Sequence, residues 1–149
     1  MIDLLLKLLS KIPIISPLVG RFFHGMQIIT PSGAEAIEYT KITVAGTSLL
    51  KPRGDWVVFT QRGDQFWPQG DVQFNYTNNT WNATVWLSPA SVEPPRIIVA
   101  QISPQIRYLV DYYRKVAATA NPAYAGIKMG TRPEGLKVAS QVIVQKKPK

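Results

Sequence analysis

The chain has 149 residues, no cysteine, a single histidine and a formal net charge of +8 at pH 7. A chain of this length forms one ordinary domain whose core is large enough to fold without disulfides or metals. Because cysteine is absent and His24 stands alone, disulfide scaffolds, cysteine-ligated zinc, iron–sulfur clusters, thiol catalysis and two-histidine sites are excluded.

The positive charge is concentrated at the two ends of the chain. Residues 1–24 carry a net charge of +2, residues 25–105 carry −1, and residues 106–149 carry +7, which together make the +8. Basic termini attract anionic lipid or nucleic acid, whereas a neutral middle argues against a nucleic-acid surface that covers the whole domain.

The first segment, residues 1–24, is predicted to be an amphipathic helix followed by a linker. Asp3, Lys7 and Lys11 fall on one stripe of a helix, and leucine and isoleucine occupy most of the rest. Charges and prolines interrupt the apolar run, which disfavours both a secretion signal and a membrane-spanning helix. Pro13 predicts the end of this helix, because proline lacks an amide proton.

The apolar face of this helix needs a covering surface, because a helix of about 11 residues is marginal on its own in water. The alternatives for this covering surface are the domain's own core, a partner protein or neighbouring subunit, and the surface of a bilayer. The residues expected to make a partner or membrane contact are Leu5, Leu8, Leu9, Ile12, Phe22 and Phe23. An intracellular location, which includes the membrane periphery, is favoured over secretion.

The middle of the chain, residues 25–145, has the pattern of an antiparallel β-sandwich. Short runs rich in β-branched and aromatic residues alternate with Gly, Pro and Asn turns and show no helical period. Strands are predicted at residues 27–30, 42–45, 56–60, 72–76, 80–87 and 96–102, and a last strand at 138–145. Because Trp81 and Trp86 point to opposite faces of their strand, one of them is expected at the surface.

One helix is predicted to interrupt the strands at about residues 104–118. Ser103 can cap its N-terminus, a proline follows, and apolar residues then recur at helical spacing. This helix is expected to cover one end or edge of the sandwich, with Arg107 and Arg114 on the face opposite to the apolar one. Residues 146–149 are predicted to be a frayed basic tail.

Four short motifs stand out in the predicted strands and the turns between them. They are VAG at residues 44–46, WVVF at 56–59, FWPQ at 66–69 and TWNATV at 80–85. With these motifs the chain resembles bacterial immunoglobulin-like modules over about residues 27–145, including the later order of strand, helix, loop and final strand. The resemblance implies a mainly β fold, an immunoglobulin-like antiparallel β-sandwich with one helix in its C-terminal half. It carries no catalytic residue over to this chain.

Two further regions are candidates for binding. Arg62, Phe66 and Trp67 form a candidate recognition loop for a protein or a sugar, and the alternative is that Trp67 fills one end of the sandwich. The basic C-terminal third is a candidate surface for an anionic polymer. Its expected anion contacts are Arg107, Arg114, Lys115, Lys146 and Lys147.

The sequence therefore favours a non-enzymatic interaction module whose N-terminal amphipathic helix docks on a partner protein, a neighbouring subunit or a membrane surface. The alternative is a binder of nucleic acid or anionic lipid that uses the basic C-terminal third. A protein partner or self-assembly is preferred to a membrane surface, and nucleic acid comes last. No cofactor, metal, catalytic residue or small-molecule substrate is expected.

Overall fold

The computed structural model describes residues 25–119, 127–128 and 132–148. The candidate contacts in the N-terminal segment lie outside these residues. They are Leu5, Leu8, Leu9, Ile12, Phe22 and Phe23. The amphipathic helix in that segment therefore stays a prediction.

The described residues form mainly strands and one long helix. The strands are β1 (Met26–Thr30), β2 (Ala36–Ile37), β3 (Lys41–Ser48), β4 (Asp55–Arg62), β5 (Gln65–Asp71), β6 (Gln73–Asn75), β7 (Thr80–Trp86), β8 (Arg96–Ile102), β9 (Ile127–Lys128), β10 (Leu136–Ile143) and β11 (Gln145–Lys146). The helix is α1 (Pro104–Ala117). The side chain of Ser103 accepts a hydrogen bond from the amide of Ile106, which confirms the predicted N-cap.

Two antiparallel sheets contain most of the strands. One has the order β1-β3-β7-β6, and the other has the order β10-β8-β4-β5-β9. The short strands β11 and β2 pair in parallel, so Lys146 lies beside Ile37 in a ladder rather than in a frayed tail. Each strand predicted from the sequence overlaps an observed strand, and the last one, predicted at 138–145, overlaps both β10 and β11.

The inner faces of the two sheets share one hydrophobic core. Alternation along β3 and β7 directs Val44, Trp81 and Val85 inwards, where they meet Val58 and Val99 from the other sheet, and all five are buried. The close approach of β1 to β3 depends on Gly46. A Cβ at this position would lie 1.8 Å from the carbonyl oxygen of Gln27, so only glycine fits.

The outer face of the five-stranded sheet carries a second hydrophobic cluster, and α1 covers it. Ile106 and Val110 of α1 pack there with Phe59, Ile98 and other side chains of the sheet. The expectation that the helix covers an end or an edge is therefore wrong. Strands β4 and β8 are apolar on both faces, so a covering layer on the outer face is needed to keep them from water.

Phe66 and Trp67, expected in a recognition loop, lie in strand β5. Gly63 at φ +55° and Asp64 make a two-residue turn, and β5 then returns antiparallel to β4 with Arg62 opposite Gln65. Pro68 is tolerated in β5 beside an irregularity in the β4–β5 pairing, as proline is at edges and bulges.

Candidate functional site

A cleft of about 740 Å³ lies where β4 and β5, the end of β7 and the last turns of α1 meet. Its volume is in the range of sites that take a small ligand or a short peptide. Its aromatic and prolyl lining residues are Trp67, Pro68, Trp86, Pro95 and Tyr113, and its basic ones are Arg62 and Arg114. Thr60, Gln69, Leu87, Ser88, Ala117 and Ala118 complete the lining.

Strand β5 forms the floor of this cleft and is fixed to both sheets. The Gln69 side chain accepts a hydrogen bond from the Trp86 amide at 2.8 Å and donates one to the Thr60 hydroxyl at 3.2 Å. Next to it, a Cβ at Gly70 would lie 2.7 Å from the carbonyl oxygen of Thr84, so glycine allows β5 to cross β7 closely. The floor is thus held by bonds that use both ends of the Gln69 amide.

Arg62 and Trp67 lie next to each other in the cleft. The guanidinium carbon of Arg62 is 5.9 Å from the centre of the Trp67 ring, a cation–π distance. The Nε of Arg62 is buried and has no hydrogen-bond partner among the described residues. Within the described part of the chain, no carboxylate pairs with Arg62.

An ion-pair network built on α1 lies beside the cleft and contributes Arg114 to its lining. Arg107 makes a bidentate contact with Asp55 at the start of β4. Its Nε donates to Oδ2 at 2.6 Å, and its Nη2 donates to Oδ1. Its Nη1 also reaches Asp71 at 2.9 Å and Asp111 at 3.3 Å. Arg114 shares Asp71 at 3.1 Å and donates to the carbonyl oxygen of Gln69. The network therefore attaches the polar side of α1 to the ends of β4 and β5.

The network changes the proton affinity of Asp55 and Arg107. The hydrogen bond from Arg107 lowers the pKa of Asp55 below its ordinary value, although partial burial opposes this shift. Its bond to Asp55 raises the pKa of Arg107, so the guanidinium stays charged. Asp55 is therefore ionised at neutral pH and holds Arg107 in place.

The predicted anion contacts are not gathered on one surface. Arg107 and Arg114 are both paired with carboxylates, so their charges are largely compensated. The ammonium group of Lys146 donates to the carbonyl oxygen of Pro89 and lies 5.4 Å from the centre of the Tyr39 ring. Lys115 and Lys147 are exposed.

The candidate recognition loop is divided by the structure. Arg62 and Trp67 line the cleft, as described above. Phe66 points to the opposite face of β5, where it is 2% exposed and packs edge-on against Phe59. Phe66 is thus a core residue, and its place in a recognition loop is a wrong expectation.

Some lining residues were not singled out from the sequence. Trp81 is buried and Trp86 is 52% exposed, which confirms that one of the two faces outwards, and Trp86 lines the cleft. Tyr113 of α1 and Gln69 of β5 also line it. These residues lie close together because β5 crosses β7, and no local sequence pattern predicts this crossing.

The described residues form a mainly β fold with two antiparallel sheets and one helix, an arrangement compatible with a β-sandwich. No protein-family model, curated protein or solved structure matches this chain. Among the residues that the structure describes, no helix has the length and apolar character needed to cross a membrane.

Proposed function

We propose that the chain is a non-enzymatic interaction module: an immunoglobulin-like β-sandwich body with an N-terminal amphipathic helix that docks on a partner protein, a neighbouring subunit or a membrane surface. The observation that carries this proposal is the packing of the body. Large side chains such as Trp81, Phe59 and Met26 are already fully buried in the two clusters of the described residues. We therefore expect another surface to cover the apolar residues of the N-terminal segment.

The alternative function, binding of an anionic polymer through the basic C-terminal third, draws less support from the same residues. A phosphate-binding surface needs cations that are free to replace counterions. Arg107 and Arg114 form ion pairs with Asp55, Asp71 and Asp111, so these arginines are less available to bind phosphate. The two functions differ in the expected effect of salt, since phosphate contacts give a steep loss of affinity as salt rises.

The test compares two substitutions in the full chain. Leu8→Asp places a charge on the predicted apolar face, whereas Ser10→Asp places the same charge on the predicted polar stripe. Leu8→Asp should abolish self-association measured by sedimentation velocity, binding to vesicles of phosphatidylcholine and phosphatidylglycerol, or co-purification of a stoichiometric partner. Ser10→Asp should leave the same interaction intact.

Two results would overturn the proposal. One is an equal effect of Leu8→Asp and Ser10→Asp on every interaction of the full chain. The other is unfolding of the Leu8→Asp protein, because the segment would then belong to the core of the domain.

A further inference from the structure

The cleft beside α1 has walls whose polar groups are mostly satisfied from within the protein. Both ends of the Gln69 amide are used by Trp86 and Thr60. Arg114 is engaged with Asp71 and with the backbone of Gln69. A ligand in this cleft therefore meets aromatic and prolyl surface together with the guanidinium of Arg62.

Cleft walls whose polar groups are already satisfied disfavour a saccharide as the ligand. A sugar carries a hydroxyl group on most of its carbons, and each hydroxyl that is buried without a partner costs free energy. A proline-rich segment suits such walls better. It has few amide protons to satisfy, and its extended helix is already formed before binding. Aromatic-lined grooves are a recurring docking surface for such segments.

The charge of the cleft selects the ligand further. Its described lining residues include Arg62 and Arg114 but no carboxylate. Arg114 is compensated by Asp71, whereas Arg62 pairs with no described carboxylate and rests against Trp67. An acidic side chain on the ligand would form a charge-assisted pair with the guanidinium of Arg62, which lines the cleft.

We propose that this cleft docks a peptide segment that contains proline and an acidic residue. The prolines pack against the exposed indole of Trp86, and the carboxylate pairs with Arg62. The proposal rests on the interaction-module function and adds the chemistry of a partner. Its test leaves residues 1–24 unchanged, so its failure is distinguishable from a failure of the N-terminal docking.

The probes are synthetic peptides of about twelve residues, measured with the full chain by fluorescence anisotropy. Two prolines are kept three positions apart while one glutamate is moved through the other positions. At least one peptide should bind with a Kd below about 1 mM. Replacement of its glutamate by glutamine should weaken binding about tenfold, as expected for a lost charged hydrogen bond. Replacement of both prolines by alanine should remove measurable binding.

Matched protein variants locate the site. Arg62→Gln should weaken the glutamate peptide about tenfold and leave the glutamine peptide unchanged, because the two substitutions remove the same pair. Arg53→Gln, at an exposed arginine outside the cleft, should have no effect. Trp86→Ala should weaken binding at least tenfold, whereas Tyr108→Ala, at a tyrosine on α1 that is 76% exposed, should not.

Three outcomes would overturn the proposal. The first is that no peptide binds below about 1 mM. The second is that Arg62→Gln and Arg53→Gln act alike while both keep the unfolding midpoint of the unsubstituted protein. The third is that an oligogalacturonate binds the protein and that Arg62→Gln weakens this binding about tenfold, as expected for the peptide. That result would assign the cleft to an acidic saccharide.

Discussion

The ion pairs of Arg107 predict a specific loss of stability in the variant Arg107→Met, which keeps most of the apolar stem and removes the charge. A charged hydrogen bond contributes about 1.5–3 kcal/mol. Because the side chains of Arg107 and Asp55 are 22% and 41% exposed, the lower end of that range applies. Repulsion among the carboxylates of Asp55, Asp71 and Asp111 adds a smaller, screened amount, so the expected loss is about 2 kcal/mol at pH 7.

Urea unfolding at several pH values measures this loss. Since the folded-state pKa of Asp55 is lowered from its ordinary value of 3.8, its contribution to stability is fully present above that value and is lost as the pH falls through the folded-state pKa. The difference between the unsubstituted protein and Arg107→Met should therefore persist at pH 5 and shrink towards pH 3. Arg53→Met, at an exposed arginine, serves as the control. A difference below about 0.5 kcal/mol at pH 7, or one that does not change between pH 7 and pH 3, would refute this reasoning.

Three further predictions concern the free energy of unfolding. Ser103→Ala should cost about 1 kcal/mol, because it removes the N-cap acceptor of α1. Phe66→Ala should cost about 3 kcal/mol because it opens a cavity in the core. Trp86→Ala, at a half-exposed side chain, should cost less than about 1 kcal/mol. Similar losses in the two variants would contradict the burial of Phe66 and the exposure of Trp86. Gly70→Ala should cost more than about 1 kcal/mol and shift the emission of the cleft tryptophans, since its Cβ would collide with the carbonyl oxygen of Thr84.

The sequence predicts most of the strands because alternation and turn residues are local. Trp81 and Trp86, for example, are assigned correctly to opposite faces of β7 from their spacing alone. Strand β5 escapes prediction because Pro68 and Gly70 weaken its strand pattern. It forms nonetheless, because the two-residue turn at Gly63 brings it back onto β4.

The place of α1 was predictable in principle. The run from Trp56 to Thr60 is buried at every position, and so is the run from Ile97 to Ala100. Such continuous apolar runs indicate strands that are covered on both faces, and the helix predicted at about residues 104–118 follows one of them directly and has an apolar face to cover it. The cleft and the pairing of Arg107 with Asp55 were not predictable in this way. They join residues far apart in the chain, and only the relative position of the layers brings them together.

The measurement that tests the central proposal most directly is the free energy of unfolding of a chain that lacks residues 1–20, compared with that of the full chain. If the N-terminal segment is a docking element, urea unfolding should give free energies of unfolding for the two chains that lie within about 1 kcal/mol of each other. The truncated chain should at the same time lose self-association, vesicle binding or partner binding. A loss of about 3 kcal/mol or more on truncation would contradict the proposal, because it would mean that the segment fills the core of the domain.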